Sequence, residues 1–263
     1  MHLSQASFSA VVNMFHDVSG IRLVDSKRQL VIGRLQRLAK EAGTDNLDDY
    51  VAQMLRGNEQ ERVKVVDRLT TNETYFFREP QHFEFLKKWL AQRAPGQKVR
   101  IWSAASSSGE EAYSIAMVLA DKIGSAGWEI VGTDLSTTVV ESARRALYPM
   151  DRARQTPPDY LKRFCLKGQG PYQGQLLVSK ALRQNVRFQT ANLMQPLPDL
   201  GQFDIVFLRN VLIYFEPDAK REIVERVIRL IKPNGYLFTG HSESLSNLQL
   251  DLKSVSPAIY ARI

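Results

Sequence analysis

The segment VRIWSAASSSGEEAYS, residues 99–114, joins a strand pattern directly to a helix pattern and so indicates the type of fold. The residues VRIW are typical of a buried strand, and seven small residues follow them. An apolar helical pattern then begins with Glu110 and Glu111. The segment therefore predicts a strand, a tight loop and a helix over residues 109–122.

The same loop predicts a binding site that prefers a positively charged ligand. Small residues at a strand-to-helix turn let a ligand approach the backbone. A pyrophosphate, however, needs free backbone N–H groups without a neighbouring anion, and Glu110 and Glu111 would repel it. S-adenosylmethionine, which carries a sulfonium and an ammonium group, suits these carboxylates. A purely structural alternative is a capping box, in which the Glu111 side chain accepts from the Ser108 N–H.

Strand and helix patterns continue to alternate after this loop. The further strand patterns are EIVGTDLS, VRFQTANL, FDIVFLRN and GYLFTGHS, and the further helix patterns lie at residues 136–147 and 217–231. Such alternation predicts an α/β fold with a doubly wound, mostly parallel sheet. In such sheets ligands bind beyond the carboxyl ends of the strands.

Residues 7–70 instead contain four successive helix patterns. They predict a small all-helical N-terminal domain, with its linker at 1–75, ahead of an α/β domain at 76–263. In the second helix pattern the apolar residues share one face, and the basic residues of the opposite face are Lys27, Arg34, Arg37 and Lys40. This basic face is either simply solvated or a docking face for an acidic partner.

One segment interrupts the α/β alternation. Residues 165–185, CLKGQGPYQGQLLVSKALRQN, contain three glycines and a proline before a short apolar run. We expect a small antiparallel β insertion with an exposed edge. The insertion is either a surface excursion or a place where an extended peptide adds as a strand.

Three strand-to-helix junctions carry polar residues that suit an adenosine cofactor. Glu111 follows the first strand. Asp134 ends the second strand, where an acid accepts hydrogen bonds from the two ribose hydroxyls, although a helix N-cap is an alternative. Asn192 follows a third strand, and we expect it to contact adenine together with the Leu193 backbone. An ordinary loop asparagine is the alternative at that position.

Composition restricts the location and the chemistry of the protein. No apolar run reaches the ~18 residues of a membrane span, and the first residues lack a signal-peptide pattern. Cys165 is the single cysteine among 263 residues, which fits a reducing compartment. We therefore expect a cytoplasmic protein. The four histidines lack zinc-site spacing, so no metal is predicted. The net charge of +7 fits an acidic partner, a nucleic acid or an anionic membrane.

Four motifs resemble the chemotaxis receptor methyltransferase (CheR) family: LTTNETYFFREPQHFEFL, WSAASSSGEEAYSIAMVLAD, FDIVFLRNVLIYF and GYLFTGHSESL. The resemblance covers essentially the whole chain. It implies a class I methyltransferase-like fold, S-adenosylmethionine as donor, and methylation of glutamate side chains on membrane chemoreceptors. It also implies that the helical domain and the β insertion face the receptor, and that the insertion binds a C-terminal receptor peptide in some members. We expect a monomer that neither binds nucleic acid nor inserts into a membrane.

The resemblance also assigns site residues in the matching motifs. The implied cofactor contacts are Asn72, Thr74, Arg78, Glu111, Asp134, Asn192, Leu193, Arg209 and Asn210. Arg78 and Tyr214 are the candidates for positioning the substrate carboxylate, and a half-buried structural tyrosine is the alternative for Tyr214. The basic residues of the second helix pattern are the implied receptor contacts.

The residues are consistent with attack by a carboxylate. A glutamate is already ionised at neutral pH, so no general base is required, and the sequence shows no convincing His–Asp pair. Asn210 begins NVLIY rather than the N-P-P-Y type of sequence used by many amine-directed nucleic-acid methyltransferases. A nicotinamide-dependent dehydrogenase is disfavoured because the glycine-rich pyrophosphate loop is missing. A non-catalytic receptor-binding module with the same fold remains an alternative.

Overall fold

The computed structural model describes residues 1–57, 59–94 and 96–263. Its N-terminal part consists of four helices, α1 Gln5–Ser19, α2 Arg28–Glu41, α3 Leu47–Leu55 and α4 Glu59–Leu69. These helices share one apolar core that contains Phe8, Phe15, Leu35 and Tyr50. Burial of these side chains explains why the amphipathic patterns fold as one unit. The predicted all-helical N-terminal domain is confirmed.

The remaining helices are shorter or flank the main sheet. They are α5 Gln81–Ala91, α6 Glu110–Ile123, α7 Thr137–Arg145, α8 Pro158–Phe164, α9 Lys180–Arg183 and α10 Pro217–Ile228. Across the described ranges, no helix combines the length and the apolar character that crossing a bilayer requires.

A seven-stranded sheet forms the centre of the second domain. Its strands, in spatial order, are β6 Val186–Thr190, β2 Trp128–Asp134, β1 Val99–Ala104, β7 Phe203–Leu208, β8 Ile231–Thr239, β10 Ile259–Arg262 and β9 Leu252–Ser256. The first five are parallel, and β10 and β9 add an antiparallel edge. The doubly wound, mostly parallel sheet is therefore confirmed. The strand order reverses at β1, whose neighbours are β2 and β7, and that is where such sheets bind ligands.

Both faces of this sheet are buried. On β1, Ile101 belongs to the core beneath α5 and α6, whereas Trp102 belongs to the core beneath α10. On β7, Phe207 belongs to the core beneath α5 and α6, and Val206 belongs to the core beneath α10. Alternate residues of a strand point to opposite faces, so two buried faces require a largely apolar run such as IVFL, residues 205–208.

The small antiparallel sheet is larger than the sequence indicates. Its strand order is β3–β5–β4, with β3 Leu147–Pro149, β4 Cys165–Lys167 and β5 Gln175–Val178. The predicted range 165–185 contains β4 and β5, whereas β3 follows α7 directly. A three-residue strand has too short a period to be distinguished from the end of a helix pattern. Leu166 on edge strand β4 is 60% exposed, as expected for an open edge.

The C-terminal part of the main sheet also differs from the prediction. The segment KPNG, residues 232–235, stands between the predicted helix at 217–231 and the predicted strand GYLFTGHS, but the structure includes it in β8 as an irregularity. The pairing with β7 moves from Phe203↔Ile231 to Ile205↔Tyr236, so β8 accommodates three extra residues there. Strands β9 and β10 were not predicted, because the polar run LKSVS lacks a clear apolar alternation.

Gly132 in β2 provides a test of how tightly β2 packs against the Phe188 side chain of the neighbouring strand β6. A Cβ atom at this position would lie 2.4 Å from Phe188 Cδ1, so Gly132→Ala requires the phenyl ring to move. We expect the variant to lose about 1–3 kcal/mol of unfolding free energy, as overpacked cores do. Urea denaturation followed by circular dichroism would measure the loss. Phe188→Leu in the alanine background should recover part of it, and an unchanged midpoint for Gly132→Ala would contradict the packing argument.

Candidate functional site

A cavity lies at the carboxyl ends of the parallel strands, between the sheet and the N-terminal helices. It brings together every residue predicted to contact the cofactor or to position the substrate. Its lining includes Asn72, Thr74, Arg78, Glu111, Asp134, Asn192, Leu193, Arg209, Asn210 and Tyr214. Residues predicted from separate motifs thus share one site.

Three backbone N–H groups of the loop after β1 are already used inside the protein. Ser106 N donates to Thr133 O at 2.8 Å, Ser107 N donates to Asp134 Oδ2 at 2.8 Å, and Gly109 N donates to Ser106 O at 3.0 Å. A pyrophosphate needs such groups to be free. The loop geometry therefore agrees with the exclusion of a dinucleotide cofactor.

Asp134 is buried at the end of β2 and is held by the backbone. Its Oδ1 accepts from Ser136 N at 3.0 Å, in addition to the bond from Ser107 N. The N-cap of α7 is Ser136, whose hydroxyl accepts from Val139 N. Burial raises the pKa of Asp134 to about 6, against the opposing effect of these backbone hydrogen bonds. The carboxylate is thus pre-oriented at the cavity wall.

Glu110 and Glu111 have different surroundings although they are adjacent. The Glu111 carboxylate accepts from Ser103 Oγ at 2.6 Å and from Arg209 Nη1 at 3.0 Å. The Glu110 carboxylate accepts from Ser108 Oγ at 2.7 Å. The alternative capping box, with Glu111 bound to the Ser108 N–H, does not form, because Glu111 pairs with the buried guanidinium instead. Burial raises the pKa of both carboxyls.

Arg209 is the centre of a buried ion network that includes Glu79. Its Nη2 lies 3.0 Å from Glu79 Oε2, and its Nη1 lies 3.0 Å from Glu111 Oε2. Nη2 also donates to the Arg78 carbonyl at 2.6 Å. A buried guanidinium requires such partners, because an unpaired buried charge is very costly. Glu79 was not predicted, although it stands next to Arg78 in the FREP motif.

Glu79 also belongs to a group of three residues with the side chains of a metal site. Glu79, His82 and His241 place potential ligand atoms within 4.8 Å of one another. However, Glu79 Oε2 accepts from Arg209, and its Oε1 accepts from Asn210 Nδ2 and from the His241 N–H. Burial, reinforced by Arg209, lowers the pKa of His82 to about 3. The cation that Glu79 holds is therefore the guanidinium, and we assign no metal here.

Arg78 differs from Arg209 in having no acidic partner. Its Nη1 donates to the Glu73 carbonyl at 3.0 Å, and its guanidinium lies 5.8 Å from the centre of the Tyr75 ring. In the parts of the chain that the structure describes, no carboxylate forms an ion pair with it. By contrast, Arg22 on the same cavity pairs with Glu216 at 3.2 Å. Arg78 therefore offers the cavity a positive charge that is not neutralised.

The loop that carries Asn210 and Tyr214 is fixed by a second unpredicted carboxylate. Glu243 is 5% exposed and accepts from Asn210 N at 2.7 Å, Gly240 N at 2.7 Å and Ile213 N at 3.2 Å. Asn210 has a φ of 56°, a left-handed conformation that costs energy outside glycine. Three hydrogen bonds to one carboxylate hold this turn and thereby orient Tyr214, which is half-buried. Glu243 lies in the GHSESL motif.

Residues of the cavity also connect the two domains. Asn192 Nδ2 donates to Val18 O at 2.6 Å, and its Oδ1 accepts from Met194 N at 2.9 Å. Ser107 Oγ donates to Asn72 O in the linker at 3.3 Å. The helical domain therefore closes the cavity that the strand ends open, and the contact of Asn192 with adenine remains a prediction.

The four predicted receptor contacts do not form one continuous helix face. Lys27 lies in the 3-10 turn before α2 and lines the cavity. Arg34 donates to Leu69 O at 2.7 Å, so its side chain crosses to the linker. Arg37 pairs with Glu41 at 3.1 Å, and Lys40 is exposed in the last turn. The helix begins one residue after Lys27, which explains why the predicted face is divided.

Comparison with known proteins identifies the family. Residues 6–70 match the all-alpha domain of CheR methyltransferase, and residues 72–260 match its SAM binding domain. The chemotaxis protein methyltransferases of Salmonella typhimurium and Escherichia coli are 39% and 38% identical to the chain, and each alignment covers 98% of this chain and 91% of the relative. Chemotaxis protein methyltransferase 2 of Pseudomonas aeruginosa is 37% identical over 99% of this chain and 94% of its own. The chain therefore belongs to the CheR family of S-adenosylmethionine-dependent chemotaxis methyltransferases.

Proposed function

We propose that the protein transfers a methyl group from S-adenosylmethionine to the side-chain carboxylate of specific glutamates on chemoreceptors. The products are a glutamate methyl ester and S-adenosylhomocysteine. The observation that carries the proposal is Arg78, a guanidinium without an acidic partner on the same cavity as Glu111 and Asp134. The acidic residues suit a cationic donor, and the unpaired guanidinium suits an anionic acceptor.

The cavity residues divide into groups that suit the parts of the donor, which supplies an electrophilic methyl group on a sulfonium. Asp134 would accept hydrogen bonds from the ribose hydroxyls, and Glu111 would face the positively charged amino-acid end. Asn192 and the Leu193 backbone would contact adenine. The further proposed contacts are Asn72, Thr74, Arg78, Arg209 and Asn210. None of these roles requires the N–H groups of Ser106, Ser107 and Gly109, which are already used.

The acceptor side fits a carboxylate because such a nucleophile needs no general base. A glutamate with a pKa of about 4.3 is ionised at neutral pH, and none of the described residues that line the cavity is a histidine. Arg78 and the Tyr214 hydroxyl would position the nucleophile. If Arg78 paired fully with the substrate carboxylate, that carboxylate would be a weaker nucleophile. The hydrogen bond from Arg78 to the Glu73 carbonyl occupies part of the guanidinium and so limits this pairing.

The loop after β7 disfavours an amine acceptor. It reads Asn210-Val211-Leu212-Ile213, without the paired prolines of the N-P-P-Y type of sequence. The Asn210 side chain donates to Glu79 Oε1 at 3.3 Å, and Glu243 holds the Asn210 N–H. The residue is thus anchored by two carboxylates, which supports a role in shaping the pocket.

Receptor binding is proposed for the basic residues of the second helix pattern. Lys27, Arg37 and Lys40 expose charged ends that suit an acidic receptor surface, and Arg34 supports the linker beside them. The open edge of the small sheet at β4 is the proposed place for a C-terminal receptor peptide. We further propose that the enzyme acts as a cytoplasmic monomer on the cytoplasmic domains of the receptors.

A methyl-transfer assay tests this function. The protein is incubated with methyl-labelled S-adenosylmethionine and receptor-rich membranes, and base-labile label is counted. We expect label on the wild-type receptor and its loss when the accepting glutamates are replaced by glutamine. Truncating the receptor C-terminus tests the peptide site. Donor binding without any base-labile label would contradict the enzyme reading and favour the non-catalytic receptor-binding module.

A further inference from the structure

Three largely buried charges, those of Arg209, Glu79 and Glu111, lie together beside the donor cavity and sum to −1 when both carboxylates are ionised. Arg209 is positive, and Glu79 and Glu111 are both negative when ionised. The exposed fractions of their side chains are 2%, 16% and 14%, so water screens this group only weakly. The resulting negative charge belongs to the triad of Arg209, Glu79 and Glu111 as a whole.

Glu79 takes the larger share of the guanidinium. Its Oε2 receives both Nε at 3.3 Å and Nη2 at 3.0 Å, whereas Glu111 receives Nη1 alone. The other oxygen of Glu79 accepts from Asn210 and His241, which fixes the side chain. Burial alone would raise the pKa of the Glu79 carboxyl, but Arg209 and these hydrogen bonds hold it below its usual value. Glu79 therefore neutralises Arg209 and leaves the charge of Glu111 available to the cavity.

The donor and its product differ by one charge. S-adenosylmethionine carries an ammonium, a sulfonium and a carboxylate, and its net charge is +1. S-adenosylhomocysteine lacks the sulfonium charge and is neutral overall. A fixed negative charge in a weakly screened site attracts the first more strongly than the second.

We propose that Glu79, acting through Arg209, is the residue that makes the cavity discriminate between the cationic donor and its neutral product. If Glu79 lost its charge, Arg209 would be neutralised by Glu111 alone, and the triad would become neutral. Glu79 is a positioning and charge-setting residue, since its polar contacts are to other residues of the protein: Arg209, Asn210, His241 and His82. This inference rests on donor binding by the family's cofactor domain and is independent of the proposed acceptor.

The test is calorimetric titration of the apo-protein with the donor and, separately, with the product. For Glu79→Gln, we expect donor affinity to fall roughly 10-fold and product affinity only about 2-fold, because only the donor carries the extra charge. Glu79→Asp should keep the wild-type ratio of the two dissociation constants. Glu222→Gln, which removes an exposed carboxylate from α10, is the matched control and should change neither constant.

Thermal unfolding of each variant measures any loss of stability, so that this loss can be told apart from an effect of the missing charge on binding. A loss of equal size for donor and product in Glu79→Gln would show that Glu79 only supports the fold, and unchanged binding would remove it from the site. A shift of the ratio in Glu79→Asp as large as in Glu79→Gln would show that charge is not the cause. Each of these results overturns the proposal. Because no receptor is present, they are distinguishable from a failure of the proposed function.

Discussion

Replacing Arg78 by alanine is expected to lower kcat/KM for methyl transfer to receptors roughly 10²- to 10³-fold, as the loss of one pre-oriented donor at a reacting group does. The reason is that Arg78 is a cavity guanidinium without an acidic partner, so its charge is available to the incoming carboxylate. The donor dissociation constant should change less than kcat/KM, because other residues surround the donor. Initial rates of base-labile methylation and calorimetry with the donor measure the two quantities.

Two further variants test whether the effect at Arg78 depends on its shape and on the net charge of the protein. Arg78→Lys keeps the charge but loses the planar two-pronged donor, so we expect only partial recovery of the rate. Arg229→Ala removes an exposed arginine after α10 and serves as the control for the lower net charge. Full activity in Arg78→Ala would be incompatible with carboxylate positioning by this residue. A parallel loss of donor binding and rate would instead assign Arg78 to the donor alone.

The central fold was predictable because local pattern and burial agree. The segment IVFL, residues 205–208, is apolar throughout because β7 is buried on both faces, and such runs separated by amphipathic helices have few alternative folds. The polar strand ends were predictable for the same reason. Asp134 directly follows a buried strand, so parallel topology alone places it at the carboxyl edge of the sheet.

The short and partly exposed strands were not predictable in this way. Strand β3 has three residues, and β9 reads LKSVS with a half-exposed pattern. Their stability comes from pairing with β5 and β10, which is information held elsewhere in the chain. The local sequence pattern of a strand does not show which other strand pairs with it.

The ion network of the site was also beyond local reasoning. Glu79 and Arg209 are 130 residues apart, and Glu243 and Asn210 are 33 apart. A motif shows that these residues are present but not which side chain pairs with which. Arg34 is a similar case. Helical periodicity predicts the direction of its side chain around α2, but it does not predict the hydrogen bond that the guanidinium donates to Leu69 O.

Acidification is expected to weaken donor binding through Asp134. The pKa of this carboxyl is raised to about 6 in the protein, first by burial. If only the ionised form binds the ribose, about a quarter of the protein is competent at pH 5.5, and the apparent dissociation constant rises roughly 4-fold relative to pH 7.5. Calorimetric titrations at both pH values measure this change. Asp218→Asn, at an exposed position in the first turn of α10, should behave like the wild type.

The same group should affect folding in the opposite direction. Its pKa rises from the ordinary value of 3.8 to about 6, so the folded state binds the proton more tightly than the unfolded state. The contribution of Asp134 to stability is therefore largest below pH 4 and is lost as the pH rises through 6. Between these values, acidification should strengthen the fold at this residue while it weakens donor binding, and melting curves can be compared with the titrations.

Asp134→Asn separates this carboxyl from Glu111, whose pKa is also raised by burial. At pH 7.5 we expect the variant to lose about 1–3 kcal/mol of donor binding free energy, the usual value of a hydrogen bond to a charged partner. Between pH 7.5 and 5.5 its dissociation constant should vary less than that of the wild type, and any remaining slope would belong to Glu111. Parallel slopes in the two proteins would show that Asp134 does not bind the donor, because a group that must ionise to bind leaves its own titration in the affinity.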